Sequence, residues 1–494
     1  MKYYLGIDIG TSGTKGVCFD EGGHQVTSKL VTYDLETPKP GYAEQNPEDW
    51  VQAAKMVIQK ISKEGYRISG IGLSGQMHGL VLLDKEDKLL RKSIIWCDNR
   101  AILEAEELIW HFGNEKMKAI TGNEVVASFT LSKLLWVKNH EPEIYRKISK
   151  IMLPKDYVRY CLTGAFTTEY SDASGMQLVN IYEKRYSKEL LDYLEITEDM
   201  LPKLKESSDI SGYLTSQIAE EVGLTPATFV VGGAGDQAAA AIGNGIIERG
   251  DVSVVLGSSG VVFSPILKED LADNQVQVFM HAVPDTYHIM GVTNGCGLSY
   301  KWLKETLFED KEYKELNDLA EAIPPSSNGL IYLPYLNGER TPHMDPFASG
   351  TFIGIRQNTT AGHMVRAVLE GVAYSLKDCF SLLPKARYHI RISGGGAKGG
   401  LWRTIIASCF HEPVERIQQA EGGALGVAIL AMVADGVYPS IKVATSKIIQ
   451  PSGITYPKEE WVMEYEKGHQ LYQDAYFSLK KFYEQAFKIE EEKE

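Results

Sequence analysis

The first fifteen residues constrain the fold most. Tyr3 to Ile9 is an apolar run that carries one acid, Asp8. It breaks into the turn Gly10-Thr11-Ser12-Gly13, continues through Thr14 and Lys15, and resumes as Gly16-Val17-Cys18-Phe19. The pattern predicts a hairpin whose bend offers backbone N–H groups, hydroxyls and a cation beside a carboxylate. That set suits a polyphosphate and its metal ion. It is not a Walker loop, which needs Gly-x4-Gly-Lys-Ser/Thr opening a helix, whereas a second strand follows here. A Gly-rich turn with a solvated Asp fits the same residues.

At 494 residues the chain is too long for one core, so two domains are expected. A formal net charge of −14 argues against nucleic acid or an anionic membrane as the main partner. No apolar run approaches the ~20 residues of a membrane helix, and no signal-peptide pattern opens the chain. The six cysteines (18, 97, 161, 296, 379, 409) form no Cys-x-x-Cys pair. Free thiols in a reducing cytoplasm are expected, without a zinc site.

Short apolar strands alternate with longer helical stretches, which predicts an α/β protein. Strands are expected at 70–74, 93–96, 228–232, 251–256, 329–333 and 389–393, and helices at 47–64, 102–112, 363–382 and 423–434. The run Val254 to Phe263 repeats the strand, Gly/Ser turn and strand of the N-terminus about half a chain later, with Gly257, Ser258 and Ser259 at its bend. Two such hairpins, one per half, suggest two similar domains facing across a cleft, 1–245 and 246–494. The stretch Trp461 to Phe487 places Leu471, Tyr472, Ala475, Tyr476, Leu479, Phe482 and Tyr483 at helical spacing, as a packed amphipathic helix would. The charged end, Glu490 to Glu494, is expected to fray.

Four further segments carry polar groups at predicted strand ends. Gly232-Gly233-Ala234-Gly235-Asp236-Gln237 leads from a strand into an Ala-rich helix starting at Asp236. The helix start favours the charged carboxylate, and the bare glycines admit a ligand. An ordinary N-cap is the plain alternative. A dinucleotide fingerprint fits the spacing less well, because Asp236 would face the pyrophosphate. Ser74-Gly75-Gln76-Met77-His78-Gly79 gathers an amide, a thioether and an imidazole. Trp96-Cys97-Asp98-Asn99-Arg100 offers an indole for a sugar's carbon face and polar groups for its hydroxyls; a tight hairpin and a helix cap are the respective alternatives. Ser393-Gly394-Gly395-Gly396-Ala397 is bare enough to admit a base or ribose, though a flexible connector is also bare. Together these segments fit phosphoryl transfer from a nucleotide to a small polar acceptor. A hydrolase triad lacks support, since no Gly-x-Ser-x-Gly elbow is present.

The chain resembles the FGGY family of carbohydrate kinases nearly end to end. Two long family patterns appear, Ser128 to His140 and Gly350 to Glu370. Ser74 to Gly79, Tyr170 to Gly175 and Gly338 to His343 resemble the branch that phosphorylates xylulose. The resemblance implies two actin-like, hexokinase-type (ribonuclease H-like) ATPase domains about a central cleft. It implies ATP and Mg2+, with D-xylulose phosphorylated at O5. Asp236 is then the general base and, with Asp8, a metal ligand. Thr11, Ser12, Thr14, Lys15, Ser258 and Ser259 line the phosphate path, and Gly297, Gly396 and Ala397 lie near the nucleotide. Met77, His78, Trp96, Asp98 and Gln237 line the sugar site. Gln237 and the Trp-Cys-Asp-Asn tetrad depart from the branch pattern, which leaves ribulose, another pentulose or glycerol as alternative acceptors. A non-catalytic sugar- or ATP-binding protein on the same fold is a further alternative, and self-association into a homodimer is left open.

Overall fold

Tyr3–Ile9 runs antiparallel to Gly13–Asp20, which pairs with Gln25–Thr32. On its other side Tyr3–Ile9 lies parallel to Ile68–Gly75, followed by Phe229–Val231, parallel, and Ile210–Tyr213, antiparallel. The computed structural model describes residues 1–271, 276–417 and 421–491.

The second half repeats this plan. Asp251–Leu256, Gly260–Ile266 and Tyr287–Thr293 form the antiparallel meander. His389–Ser393 and Val414–Ile417 add in parallel to Asp251–Leu256, and Pro451–Thr455 closes the edge antiparallel. Gln277–Met280 extends the opposite edge. The weak echo between the hairpins therefore reflects a repeated sheet. The first plan ends with the helix Asp236–Gly243 and the second begins at Asp251.

Residue pattern accounts for the flanking helices. Pro47–Ser62 opens on the Asn46 cap with Pro47 at its first position, where a missing N–H costs nothing. It buries Trp50, Val51, Ala54, Val57, Ile58 and Ile61 against the first sheet. Gly422–Ala434, from the second half of the chain, is apolar all round. It packs on Asp236–Gly243 and on the first sheet's strands Tyr3–Ile9 and Ile68–Gly75. Glycines permit that approach: a Cβ on Gly6 would lie 1.9 Å from the Ala424 carbonyl oxygen, and one on Gly426 1.9 Å from that of Ala239.

Two expectations change. Only Ser93–Ile94 of the run 93–96 is strand, and it pairs with Glu44–Gln45 outside the main sheet. The C-terminal helix, Glu459–Glu491, buries Tyr465, Tyr472, Tyr476 and Tyr483, whereas Leu471 and Phe482 are exposed. The tyrosines fall at spacings of 7, 4 and 7, so they form the seam, and residues one position off it face outward. Residues 492–494 of the charged end lie outside the described residues. All six cysteines are free. Among the described residues no helix is long and apolar enough to cross a membrane.

Candidate active site

Three neighbouring strands deliver two carboxylates to one end of the first sheet. Asp8 pairs in register with Ser74, and Gly235 with Gly75, so Asp236 follows one residue beyond. The Ser74 hydroxyl donates to Asp8 Oδ1 at 2.9 Å. Asp236 is the first residue of its helix, and its Oδ1 accepts the Gln237 amide at 2.7 Å. The expectation that the helix start favours the charged form is reversed: burial pushes the Asp236 carboxyl up to about 7, the Asp8 charge adds to the rise, and the Gln237 amide only opposes it. Burial also raises Asp8, with Ser74 opposing and Glu421 adding. Two carboxylates in one poorly solvated pocket resist joint ionisation, and a divalent cation would relieve them. Among the described residues no cluster of three or more metal-ligating side chains forms. A pair of carboxylates suits Mg2+, which takes one or two carboxylates and fills its shell with water and phosphate oxygens.

The hairpin beyond Asp8 is braced from behind. Gly10 N–H donates to the Gly13 carbonyl at 3.0 Å. The Tyr33 hydroxyl holds the Gly10 carbonyl at 2.6 Å, and Gln45 Nε2 holds that of Thr11 at 2.7 Å. Trp96 Nε1 donates to Thr11 Oγ1 at 2.9 Å, which ties the indole to the first hairpin. Ser12 is exposed at the tip. Thr14 is fully buried with its hydroxyl 3.3 Å from that of Tyr33, so it props the hairpin from inside. Lys15 pairs with Glu421 at 2.6 Å, bridging to the start of Gly422–Ala434.

The second hairpin mirrors the first. Ser258 and Ser259 are exposed at its tip. The Gly257 and Ser258 carbonyls accept the N–H groups of Gly297 and Leu298, at 2.8 and 3.1 Å, which docks the helix Gly297–Leu307 on the hairpin. A Cβ on Gly297 would sit 2.5 Å from the Gly257 oxygen. The bare loop begins next door, since Ser393 pairs with Val255. Gly394 takes φ 89°, Gly395 faces open space, and Gly396 packs on Trp402 and Leu256. Ala397 is buried, and its carbonyl accepts from Arg403 at 2.6 Å.

The Met77-His78 turn lies beside Asp236. Met77 is buried against Gly235, where a Cβ would approach its Cγ and Sδ to 3.0 Å. His78 Nδ1 lies 2.8 Å from the Gly175 carbonyl. A carbonyl only accepts, so Nδ1 carries the proton and Nε2 is left as an acceptor. Burial pushes the imidazole down to about 3, with the Gly175 bond opposing, so it stays neutral. The ring stacks on Phe129 at 4.0 Å. Asp98, expected at the sugar, turns inward. Its oxygens accept from the Ala43 amide at 2.5 Å and from the Arg100 guanidinium at 2.8 Å, and it is 1% exposed.

Sequence reasoning passed over a buried ion cluster behind the Asp236 turn. Lys155 lies 2.9 Å from Asp156, 3.2 Å from Glu169 and 3.1 Å from Asp172. Arg159 pairs with Asp156 and donates to the Gly232 carbonyl at 2.7 Å. Glu169 accepts the Ser171 hydroxyl at 3.0 Å, and Ser171 Oγ in turn accepts the Gly235 amide at 3.1 Å. Burial pushes Asp172 up to about 8, against the pull of Lys155. Glu339, inside the pattern Gly338 to His343, was given no role of its own. It accepts Thr293 Oγ1 at 2.6 Å and Asn294 N–H at 3.0 Å, fixing the turn that leads to Gly297. The links to Gly232, Gly235 and Thr293 span 73, 64 and 46 residues, so local spacing gave no signal for them.

Residues 3–243 match the model of the N-terminal domain of the FGGY family of carbohydrate kinases, and residues 252–434 that of its C-terminal domain. The chain belongs to this family. It is an ATP-dependent sugar kinase of two-domain α/β architecture. Xylulose kinase of Bacillus subtilis (strain 168) is 38% identical over 488 residues, 97% of this chain and 98% of the relative. Two solved structures from Lactobacillus acidophilus are each 29% identical to this chain. Ligand-bound xylulose kinase superposes with a TM-score of 0.91, covering 97% of this chain and 98% of that one. Gluconate kinase superposes with a TM-score of 0.92, covering 98% and 99%.

Proposed function

We propose that this FGGY kinase is a cytoplasmic enzyme that transfers the γ-phosphoryl group of ATP to O5 of D-xylulose, giving D-xylulose 5-phosphate and ADP. One observation carries the proposal. Asp236, a carboxyl pushed up to about 7, stands at a helix start beside the Met77-His78 turn and on the same sheet end as Asp8. A carboxylate with that affinity for protons accepts one from a sugar hydroxyl more readily than an ordinary Asp does.

In this mechanism Asp236 takes the O5 proton as O5 attacks the γ-phosphorus, and the bond to the ADP oxygen breaks. Asp8, with Asp236, would hold a Mg2+ ion, which would neutralise phosphate charge. The hairpin at Thr11 and Ser12 binds phosphate oxygens from one half, and Ser258 and Ser259 from the other. Lys15 adds its charge there, and Gly297, Gly396 and Ala397 bound the adenosine side. His78 Nε2 accepts a sugar hydroxyl, Trp96 covers a carbon face and Gln237 completes the pocket. Division of the chain into lobes at 245/246 lets the two hairpins close on the nucleotide and exclude water, which competes with O5 as acceptor. The xylulose kinases among the relatives support this acceptor. The equally close gluconate kinase structure favours a second reading, in which the acceptor is a six-carbon sugar acid.

Product analysis tests the proposal. Incubation with ATP, Mg2+ and D-xylulose should yield one sugar phosphate whose phosphorus couples to the C5 protons in NMR. A phosphate on another oxygen, or ADP without a sugar phosphate, would contradict it.

A further inference from the structure

The family pattern Ser128 to His140 contains a lysine that the mechanism above leaves unused. Lys133 lies on the helix Thr130–His140 and is fully buried. Its ammonium donates to the His78 carbonyl at 2.9 Å. Asp98, whose charge reaches it, is bound to Arg100. Burial pushes Lys133 down to about 7, with Asp98 and Cys97 opposing. Among the described residues no carboxylate forms an ion pair with Lys133, and burying an ammonium on carbonyl contact alone is costly, a cost that points to a task.

The geometry around His78 shows the task. The same carbonyl accepts a second hydrogen bond, from Thr130 Oγ1 at 3.2 Å. The backbone of His78 has φ 63°, a left-handed conformation that disfavours a non-glycine residue. Phe129, which precedes Thr130, stacks on the His78 ring with planes 7° apart. Nδ1 is taken by the Gly175 carbonyl. One helix turn therefore grips His78 at its ring face and at its carbonyl, and Nε2 is the imidazole nitrogen left for a ligand.

We infer that Lys133 is a positioning residue for the acceptor sugar: with Thr130 it pins the His78 carbonyl so that Nε2 accepts a sugar hydroxyl. Lys133 does not itself touch the sugar. The inference rests on the assignment of His78 to the sugar pocket made above.

The test is a double-mutant cycle on acceptor kinetics with D-xylulose at saturating MgATP. His78→Asn tests the underlying assignment and should raise the acceptor KM about 10-fold or more. Lys133→Met, neutral and similar in length, should raise it about 10-fold, with kcat changed less than about threefold and the KM for MgATP within about twofold. Added to His78→Asn, Lys133→Met should change the acceptor KM by less than about twofold, because both act through one contact. Three results would overturn the inference: an unchanged acceptor KM in Lys133→Met, full multiplication of the two effects, or parallel shifts in both substrates. An unchanged KM in His78→Asn instead removes the assignment beneath it. If Lys133→Met does not fold, Thr130→Val, which deletes the other donor to the same carbonyl, runs through the same cycle and is judged by the same outcomes, with an expected rise of about threefold.

Discussion

The Ser171 hydroxyl accepts the Gly235 amide at 3.1 Å, one residue before Asp236. Through Glu169 that bond ties the turn carrying the proposed base to the buried cluster of Lys155, Asp156, Arg159 and Asp172. Ser171→Ala leaves the buried Gly235 N–H without its partner, a loss of about 1–3 kcal/mol. The cost should appear in kcat, as a fall of roughly 10-fold, more than in the KM for sugar or nucleotide. Steady-state kinetics of the purified variant check this, and an equal loss in all constants would indicate general loosening.

Asp236→Asn keeps the shape of the helix start and removes the proton acceptor. Sugar-dependent turnover should fall by about 10²–10⁴-fold, while ADP binding, read by calorimetry, stays within a few-fold.

The proposed base sets the pH dependence. Asp236 is raised to about 7, so its ionised form grows as pH rises through that value. In the kcat/KM profile, activity should fall about 10-fold per pH unit on the acid side of a limb and level above it; Mg2+ held by Asp8 and Asp236 would draw that limb below 7. Burial is the main cause of the shift and the Asp8 charge the second, so Asp8→Asn should move the limb to lower pH as well as slowing the reaction. A limb that stays in place would detach the two carboxylates.

The same shift predicts a stability effect. A carboxyl whose folded pKa is raised from 3.8 to about 7 binds protons more tightly when folded. Its favourable contribution is complete below the unfolded value and is lost as pH rises through the folded one. Asp236→Asn should therefore melt higher than the parent at pH 8, with the difference shrinking toward pH 5. Paired thermal melts at the two pH values read it directly.

Gly426→Ala tests the contact between the halves. Its Cβ would fall 1.9 Å from the Ala239 carbonyl oxygen, in backbone that cannot swing aside. Overpacking of this kind costs about 1–3 kcal/mol, so a clear drop in the melting midpoint is expected.

Much of this layout was legible in the sequence. The hairpins announced themselves because a strand, a Gly/Ser bend and a second strand are local, and their repetition half a chain apart matched the repeated sheet. Asp236 could be placed because a Gly-rich turn followed by an Ala-rich run marks a helix start. What spacing could not show was direction. Thr14 and Asp98 are polar residues at the expected places, yet they point inward to Tyr33 and to Arg100 with the Ala43 amide. The supports behind the site, Lys133 under His78 and Ser171 under Gly235, join segments 55 and 64 residues apart, and only the folded chain brings them together.

The central claim is sugar-dependent phosphoryl transfer with D-xylulose as the preferred acceptor. The direct measurement is ADP release with ATP, Mg2+ and, in turn, D-xylulose, L-xylulose, D-ribulose, L-ribulose, glycerol, gluconate or no sugar. The highest kcat/KM with D-xylulose is the predicted result. A higher value with gluconate or another acceptor would contradict the sugar assignment and redraw the pocket around Gln237 and Cys97. No acceptor exceeding the rate without sugar would contradict the claim itself.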